Sequence, residues 1–212
     1  TLEADRPTTL TVVRGADCSV YDINGPHFEP VSASCERLDQ RNGSLITVSA
    51  RTLELGIPFA VSTACRIVRG SCEIGSAETG PCKSFSATES AISDNSFSSL
   101  DSLTFNLQSH EKAVFEIASV LATGNDFRNT HTGDLRGDST ANFPAVAEIA
   151  GFASERARRA AEEGFEALLT AHAARWDEIW KTGDGEIDGD PYAQSALRFR
   201  PYQLQIPAPR HR

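Results

Sequence analysis

The period of the apolar residues changes once along the chain, and that change restricts the fold more than any single motif. In the first two-thirds, apolar residues alternate with polar ones in short runs. Gly43 to Arg51 sets Leu45, Thr47 and Ser49 on one side and Ile46, Val48 and Ala50 on the other. Ile57 to Val68 is rich in β-branched and small apolar residues, Leu103, Phe105 and Leu107 alternate with polar neighbours, and Lys112 to Leu121 places Ala113, Phe115 and Ile117 on one face. Turn clusters separate these runs: Asn24-Gly25-Pro26, Arg41-Asn42-Gly43, Gly80-Pro81 and Ser93 to Ser96. Short alternating strands punctuated in this way predict a mainly β fold, an antiparallel sandwich.

After Pro144 the period becomes helical. Ala-, Glu- and Arg-rich sequence runs from Ala145 to Trp180, and Phe165, Leu168, Leu169, His172, Trp176, Ile179 and Trp180 fall on one face. Gly151 and Gly164 are candidate division points, since each costs about 1 kcal/mol relative to Ala inside a helix. Gly183 reads as a left-handed cap. Asp190 and Pro191 read as the N-cap and first position of a further helix, which Pro201 is expected to break almost at once. The organisation expected is a β-sandwich over 1–143, a helical linker over 144–183, and a third segment over 184–212.

At 212 residues, 40% hydrophobic and 23% charged, the composition is that of a folded globular protein rather than a disordered one. The formal charge of −9 argues against nucleic acid or an anionic membrane surface as the main partner. No apolar run approaches the roughly 18 residues of a membrane helix. There is no Met, even at position 1, so the chain is expected to have lost its beginning. A leader already removed would leave no trace, and secretion stays open on that count.

The five cysteines, Cys18, Cys35, Cys65, Cys72 and Cys82, are odd in number and widely spaced. They read better as reduced thiols of a cytoplasmic protein than as a disulfide framework, with a bridge among Cys65, Cys72 and Cys82 left open. None is spaced as a zinc pair, and His27, His110, His131, His172 and His211 are equally scattered, so no metal ligands are assigned.

Other motifs carry bland readings. Arg136-Gly137-Asp138 matches an adhesion tripeptide, but three residues in a Gly/Asp-rich loop are a weak signal. Asn42-Gly43-Ser44 is a formal glycosylation acceptor that a hairpin turn explains more simply. Asp184, Glu186 and Asp188 with Gly189 imitate the start of a calcium loop, but Ser195 stands where the bidentate Glu is required, so a polar turn feeding an N-cap is favoured. No nucleophile elbow and no phosphate-binding glycine loop is present. Trp176 and Trp180, four apart on one face, are better explained by packing than by sugar stacking. No catalytic, cofactor-binding or metal-binding residue is assigned, and no cofactor.

The helical third carries a family resemblance. Gly164-Phe165-Glu166-Ala167-Leu168-Leu169, the run His172 to Trp180 with its two tryptophans, Glu186-Ile187-Asp188-Gly189-Asp190-Pro191 and Gln194-Ser195-Ala196-Leu197-Arg198-Phe199 together resemble glycoside hydrolase family 65. Tyr202-Gln203-Leu204 and Ala208 to His211 are similar to the same family's first barrel helix. More loosely, Tyr21 to Pro30 resembles its Asn-Gly-x-Pro-His stretch, and Ser49 to Phe59 its Arg-Thr-x-x-x-Gly-Ile strand. The resemblance implies a galactose-mutarotase-like β-supersandwich, then a helical linker, then an (α/α)6 barrel that holds the general-acid Glu and the phosphate-binding loops. It implies cleavage of an α-linked disaccharide, by phosphate or by water, with inversion.

On this resemblance the chain stops where the barrel begins, and 184–212 is a truncated barrel start. No catalytic Glu or phosphate position has a counterpart here. The expected function is that of a non-catalytic N-terminal domain, itself inactive, with disaccharide and inorganic phosphate as partners of the intact enzyme. The apolar helical face is expected to stay exposed and to favour homo-oligomers. The alternative is a stand-alone carbohydrate-binding sandwich, for which 8% aromatic residues with both tryptophans on the helix is thin.

Overall fold

The computed structural model describes residues 1–17, 21–22, 25–38, 43–70, 72–74, 78–80, 98–127 and 143–205. Cys18, Cys82, His131, His211, Asn24, Asn42, Arg136-Gly137-Asp138 and Ala208 to His211 lie outside them. Eleven strands are described: β1 (Leu2–Glu3), β2 (Thr8–Asp17), β3 (Tyr21–Asp22), β4 (Gly25–Pro26), β5 (Phe28–Leu38), β6 (Gly43–Thr52), β7 (Pro58–Arg69), β8 (Cys72–Ile74), β9 (Glu78–Gly80), β10 (Ser98–Leu107) and β11 (Lys112–Thr123). A short 3-10 turn, Gly124–Phe127, follows. The helices are α1 (Val146–Glu163), α2 (Phe165–Gly183) and α3 (Pro191–Gln205).

The strands form two antiparallel sheets. The larger runs in the order β1-β11-β7-β6-β5, and the smaller in the order β2-β10-β8, with β9 also pairing β10. β3 and β4 make a two-stranded ribbon. The chain is thus an antiparallel β-sandwich with helices at its C-terminal end, as the change of period predicts.

Strand β6 explains why the larger sheet is so apolar. Every residue from Gly43 to Ala50 is buried, so the strand does not alternate between core and water as its sequence pattern predicts. Leu45 packs with Ala64, Ala157 and Ala161 on the α1 side, while Ile46, Val48 and Ala50 pack with Ala16 and Phe59 between the sheets. A central strand covered on both faces is buried throughout. The α1 stripe Val146, Ile149, Ala153, Ala157 and Ala161 recurs at helical spacing, and its alanines let the helix lie close to the sheet.

Two irregularities adjust the larger sheet. Its register shifts between Pro30 and Ser32 and again opposite Val114 and Phe115, leaving Val31 of β5 and Val68 of β7 as the extra residues. Both are half exposed, as expected of bulged residues. Ala113 and Phe115 join the inter-sheet cluster, whereas Ile117 remains 45% exposed despite its place in the same alternation.

The chain divides into two compact units, Thr1–Glu163 with the sandwich and α1, and a second from Gly164 that holds α2 and α3. Gly164 separates the helices with φ 82° and ψ 166°, a backbone conformation open essentially only to glycine. Gly151, the other candidate breaker, lies inside α1 without interrupting it. Two further expectations need correction. Gly183 ends α2 in helical conformation; the cap is Asp184 in extended conformation, whose N–H donates to the Trp180 carbonyl. Pro201 does not stop α3, which continues to Gln205.

Candidate functional site

A charged cluster lies inside the sandwich. Arg14 of β2 and Asp101 of β10 are opposite each other in register, and both point between the sheets. One terminal guanidinium nitrogen of Arg14 donates to Asp101 Oδ2 at 2.8 Å, to the Ser44 carbonyl at 2.9 Å and to Ser44 Oγ at 2.6 Å. The other donates to the Thr63 carbonyl at 3.0 Å. Ser44 Oγ also donates to Asp101. A side chain of the smaller sheet is therefore bonded to the backbone of β6 and β7 in the larger one.

Arg14 Nε, Ser99 Oγ and Asp101 Oδ1 are buried without a hydrogen-bond partner among the described residues. Burial pushes the nearby Cys65 thiol up from 9.0 to about 11, with Arg14 opposing and Asp101 adding to the effect. The Cys35 and Cys72 thiols are raised for the same leading reason. Cys35, Cys65 and Cys72 are free thiols. A carboxylate buried in this way and held by an arginine braces the two sheets.

The two front stretches quoted for the family resemblance meet at one corner of the larger sheet. Phe28 pairs with Thr52 and Glu29 with Arg51, and the Leu53 N–H donates to the His27 carbonyl at 3.0 Å. His27 Nδ1 stands 3.4 Å from Glu54 Oε1, and Phe28 meets Phe59 edge-on at 4.9 Å. The Arg51-Thr52-x-x-x-Gly56-Ile57 pattern is the end of β6 followed by the turn that leads into β7, rather than one continuous strand. Thr52 Oγ1 accepts from the Ile57 N–H at 3.0 Å, its carbonyl accepts from the Gly56 N–H at 2.9 Å, and Gly56 takes φ 61°. Thr and Gly are what this turn needs, and Leu53 and Leu55 project from it exposed.

In the second unit, Trp176 and Trp180 stack with ring centres 5.6 Å apart, and Tyr202 of α3 lies 5.1 Å from Trp176. His172 meets Trp176 edge-on at 6.2 Å. No residue of α2 is buried, and Phe165, Leu168 and Leu169 stand in the open with Tyr192, Phe199 and Leu204.

The acidic stretch divides its work. Asp184 pairs with Arg198, which holds its carboxyl below the usual range. Asp190 Oδ1 caps α3 by accepting from the Tyr192 and Ala193 N–H groups, both at 3.0 Å. Gln194 reads the intervening turn, accepting from the Ile187 N–H and donating to the Gly185 carbonyl. His110 occupies the β10–β11 turn with φ 61°. Among the described residues no three His, Cys, Asp or Glu side chains come together as a metal site, and no helix is long and apolar enough to cross a membrane.

Sequence reasoning missed Arg14, Ser44 and Asp101 altogether. The signal available was a lone arginine and a lone aspartate, each at an inward position of an alternating strand.

No protein-family model matches the chain. The nigerose phosphorylase of Lachnoclostridium phytofermentans is 24% identical over 213 residues, an alignment that takes in 99% of this chain and 25% of the relative. The chain therefore spans about a quarter of the length of the curated relative it matches, and is similar throughout to part of a disaccharide phosphorylase.

Proposed function

We propose that the chain serves as the non-catalytic N-terminal portion of a carbohydrate-active enzyme of glycoside hydrolase family 65, which cleaves an α-linked disaccharide by phosphorolysis or hydrolysis. The observation that carries this reading is the likeness to nigerose phosphorylase along 99% of the chain. In this reading residues 1–143 are a galactose-mutarotase-like sandwich, 144–183 a helical linker and 184–212 the start of an (α/α)6 barrel. Disaccharide and inorganic phosphate are partners of the whole enzyme, and the chain by itself is inactive.

Two physical features support it. Glycosidic cleavage needs a general acid on one side of the bond and a nucleophile or activated water on the other. Among the described residues the buried carboxylate of the sandwich, Asp101, is committed to Arg14 and Ser44. The exposed apolar residues of α2 and α3 are more than a free-standing helix pair keeps in water, and suit a unit that packs against further protein.

Incubating the purified chain with nigerose, kojibiose, maltose or trehalose in phosphate tests the assignment. No sugar 1-phosphate and no free glucose should appear. Release of either, at a rate proportional to the amount of chain and lost on denaturation, would overturn the non-catalytic role.

A further inference from the structure

Around the Arg14–Asp101 pair, Arg14 Nε, Asp101 Oδ1 and Ser99 Oγ are buried without a partner among the described residues. All three residues are more than nine-tenths buried. They occupy adjoining places in the β2–β10 ladder, where Arg14 lies opposite Asp101 and Ala16 opposite Ser99. Ser99 and Asp101, two apart on one strand, therefore both face between the sheets. A buried donor or acceptor left unbonded is costly, most of all on a charged group, and native proteins rarely tolerate one.

The bonds already made fix where the unpartnered atoms point. The Thr63 and Ser44 carbonyls each accept from one of the two terminal nitrogens of Arg14, so they take the edge of the guanidinium between those nitrogens. Asp101 Oδ2, bound to the second of them at 2.8 Å, is left on the edge that carries Nε. A guanidinium and a carboxylate that meet there commonly make two parallel bonds. Arg198 meets Asp184 in that way, with Nε and a terminal nitrogen both donating to the carboxylate. Arg14 makes the terminal bond alone, and its Nε–H stands on the same side of the pair as the unbonded Oδ1.

We propose that the sandwich binds one internal water molecule at this point, which accepts from Arg14 Nε–H and donates to Asp101 Oδ1 and Ser99 Oγ. The chemistry of the three atoms selects a small neutral ligand that both accepts and donates. A cation would face the guanidinium and an anion the carboxylate, and among the described residues no group of His, Cys, Asp or Glu side chains gathers as a metal site. The Ser99 and Asp101 Cα atoms are about 7 Å apart along the strand, a span that two hydrogen bonds through one oxygen can bridge. Three hydrogen bonds are the usual number for a buried water. Ala16, opposite Ser99, is the smallest of the inward side chains of β2, so crowding is least on that side. The water extends the brace: Ser44 and Thr63 of the larger sheet, then Arg14 and Asp101, then Ser99 become one hydrogen-bonded network.

Oxygen-17 relaxation dispersion of the chain in solution tests the proposal by counting waters held inside the protein. The parent chain is expected to hold one more than Ser99→Val, whose methyl groups take the place of the hydroxyl and its water. It should likewise hold one more than the double variant Arg14→Met with Asp101→Leu, circular dichroism serving as the check on folding. Equal counts in the parent and the folded variants would overturn the proposal. A crystal structure of the unaltered chain reads the same point without any substitution. It should place a single oxygen about 2.7–3.2 Å from each of Arg14 Nε, Asp101 Oδ1 and Ser99 Oγ. A carboxylate turned so that Oδ1 accepts directly from Nε, with no oxygen between them, would overturn the proposal, and so would an ion in that position.

Discussion

Arg14 and Asp101 face each other across neighbouring strands of the smaller sheet and pair at 2.8 Å, with side chains 5% and 0% exposed. Taking both charges out of water costs several kcal/mol per ion, and their attraction offsets this only with good geometry and further hydrogen bonds. The Ser44 and Thr63 carbonyls and the Ser44 hydroxyl supply those bonds from the opposite sheet. The pair therefore fixes how the two sheets stack.

Removing one partner should be worse than removing both. Asp101→Ala leaves a buried guanidinium unpaired and is expected to cost about 3–5 kcal/mol, whereas Arg14→Met with Asp101→Leu should cost much less. Urea denaturation of the three chains measures the difference. Equal losses in single and double variants would show that the charges do not act as a pair.

The α1 stripe predicts effects of opposite sign along one helix. Ile149→Ala should cost about 2–5 kcal/mol through the cavity left against Ala60 and Ala122. Ala157→Leu should cost about 1–3 kcal/mol by pushing the helix off Leu45 and Ala64. A methyl group added at exposed Gly151 meets no atom within 4 Å, so Gly151→Ala should stabilise by about 0.5–1 kcal/mol. Thermal melts rank the three, and a destabilising Gly151→Ala would contradict the placement of α1.

The first two-thirds of the sequence disclosed β6, β7, β10 and β11 because each carries a run of branched or aromatic residues. β2 and β5 were illegible. β5 contains Pro30 and mixes apolar, small and charged residues with no sustained alternation, and it stands as a strand because β6 pairs with it from Phe28 to Leu38. β2 sets Arg14 at an inward position, which breaks the apolar alternation, and only its bonds to another sheet make that residue acceptable inside. Local pattern does not report such distant partners. Asp190 and Pro191, by contrast, were readable as a helix start because capping is a local matter. The buried cluster escaped notice for the same reason as β2: its members lie 30 to 87 positions apart.

Cys65 should make stability fall in mildly alkaline solution. Its thiol ionises near 11 in the folded chain against 9.0 when free, so the folded state prefers the neutral form. The stabilisation is fully present below pH 9 and is lost as pH rises from about 9 through 11. Urea midpoints over that range should decline more steeply for the parent chain than for Cys65→Ala. Alkylation at pH 8.5 should also mark Cys65 more slowly than the less buried Cys35 and Cys72. Fast labelling of Cys65 in the folded protein would refute its burial.

Asp190 accounts for the start of α3. Asp190→Ala removes the acceptor for the Tyr192 and Ala193 N–H groups and should cost about 1 kcal/mol of local helix stability. Hydrogen exchange at those two amides should accelerate severalfold while exchange in β6 and β7 stays unchanged. Unaltered exchange would mean that another group caps the helix.

The relation to a disaccharide phosphorylase is tested most directly by exchange. The quarter of the Lachnoclostridium phytofermentans nigerose phosphorylase that aligns with this chain is replaced by residues 1–212, and phosphorolysis of nigerose is assayed. A chain that takes the place of that portion should give a folded chimera that still releases sugar phosphate, with the swapped segment contributing no catalytic group. A chimera that folds and assembles yet produces no sugar phosphate would contradict the assignment.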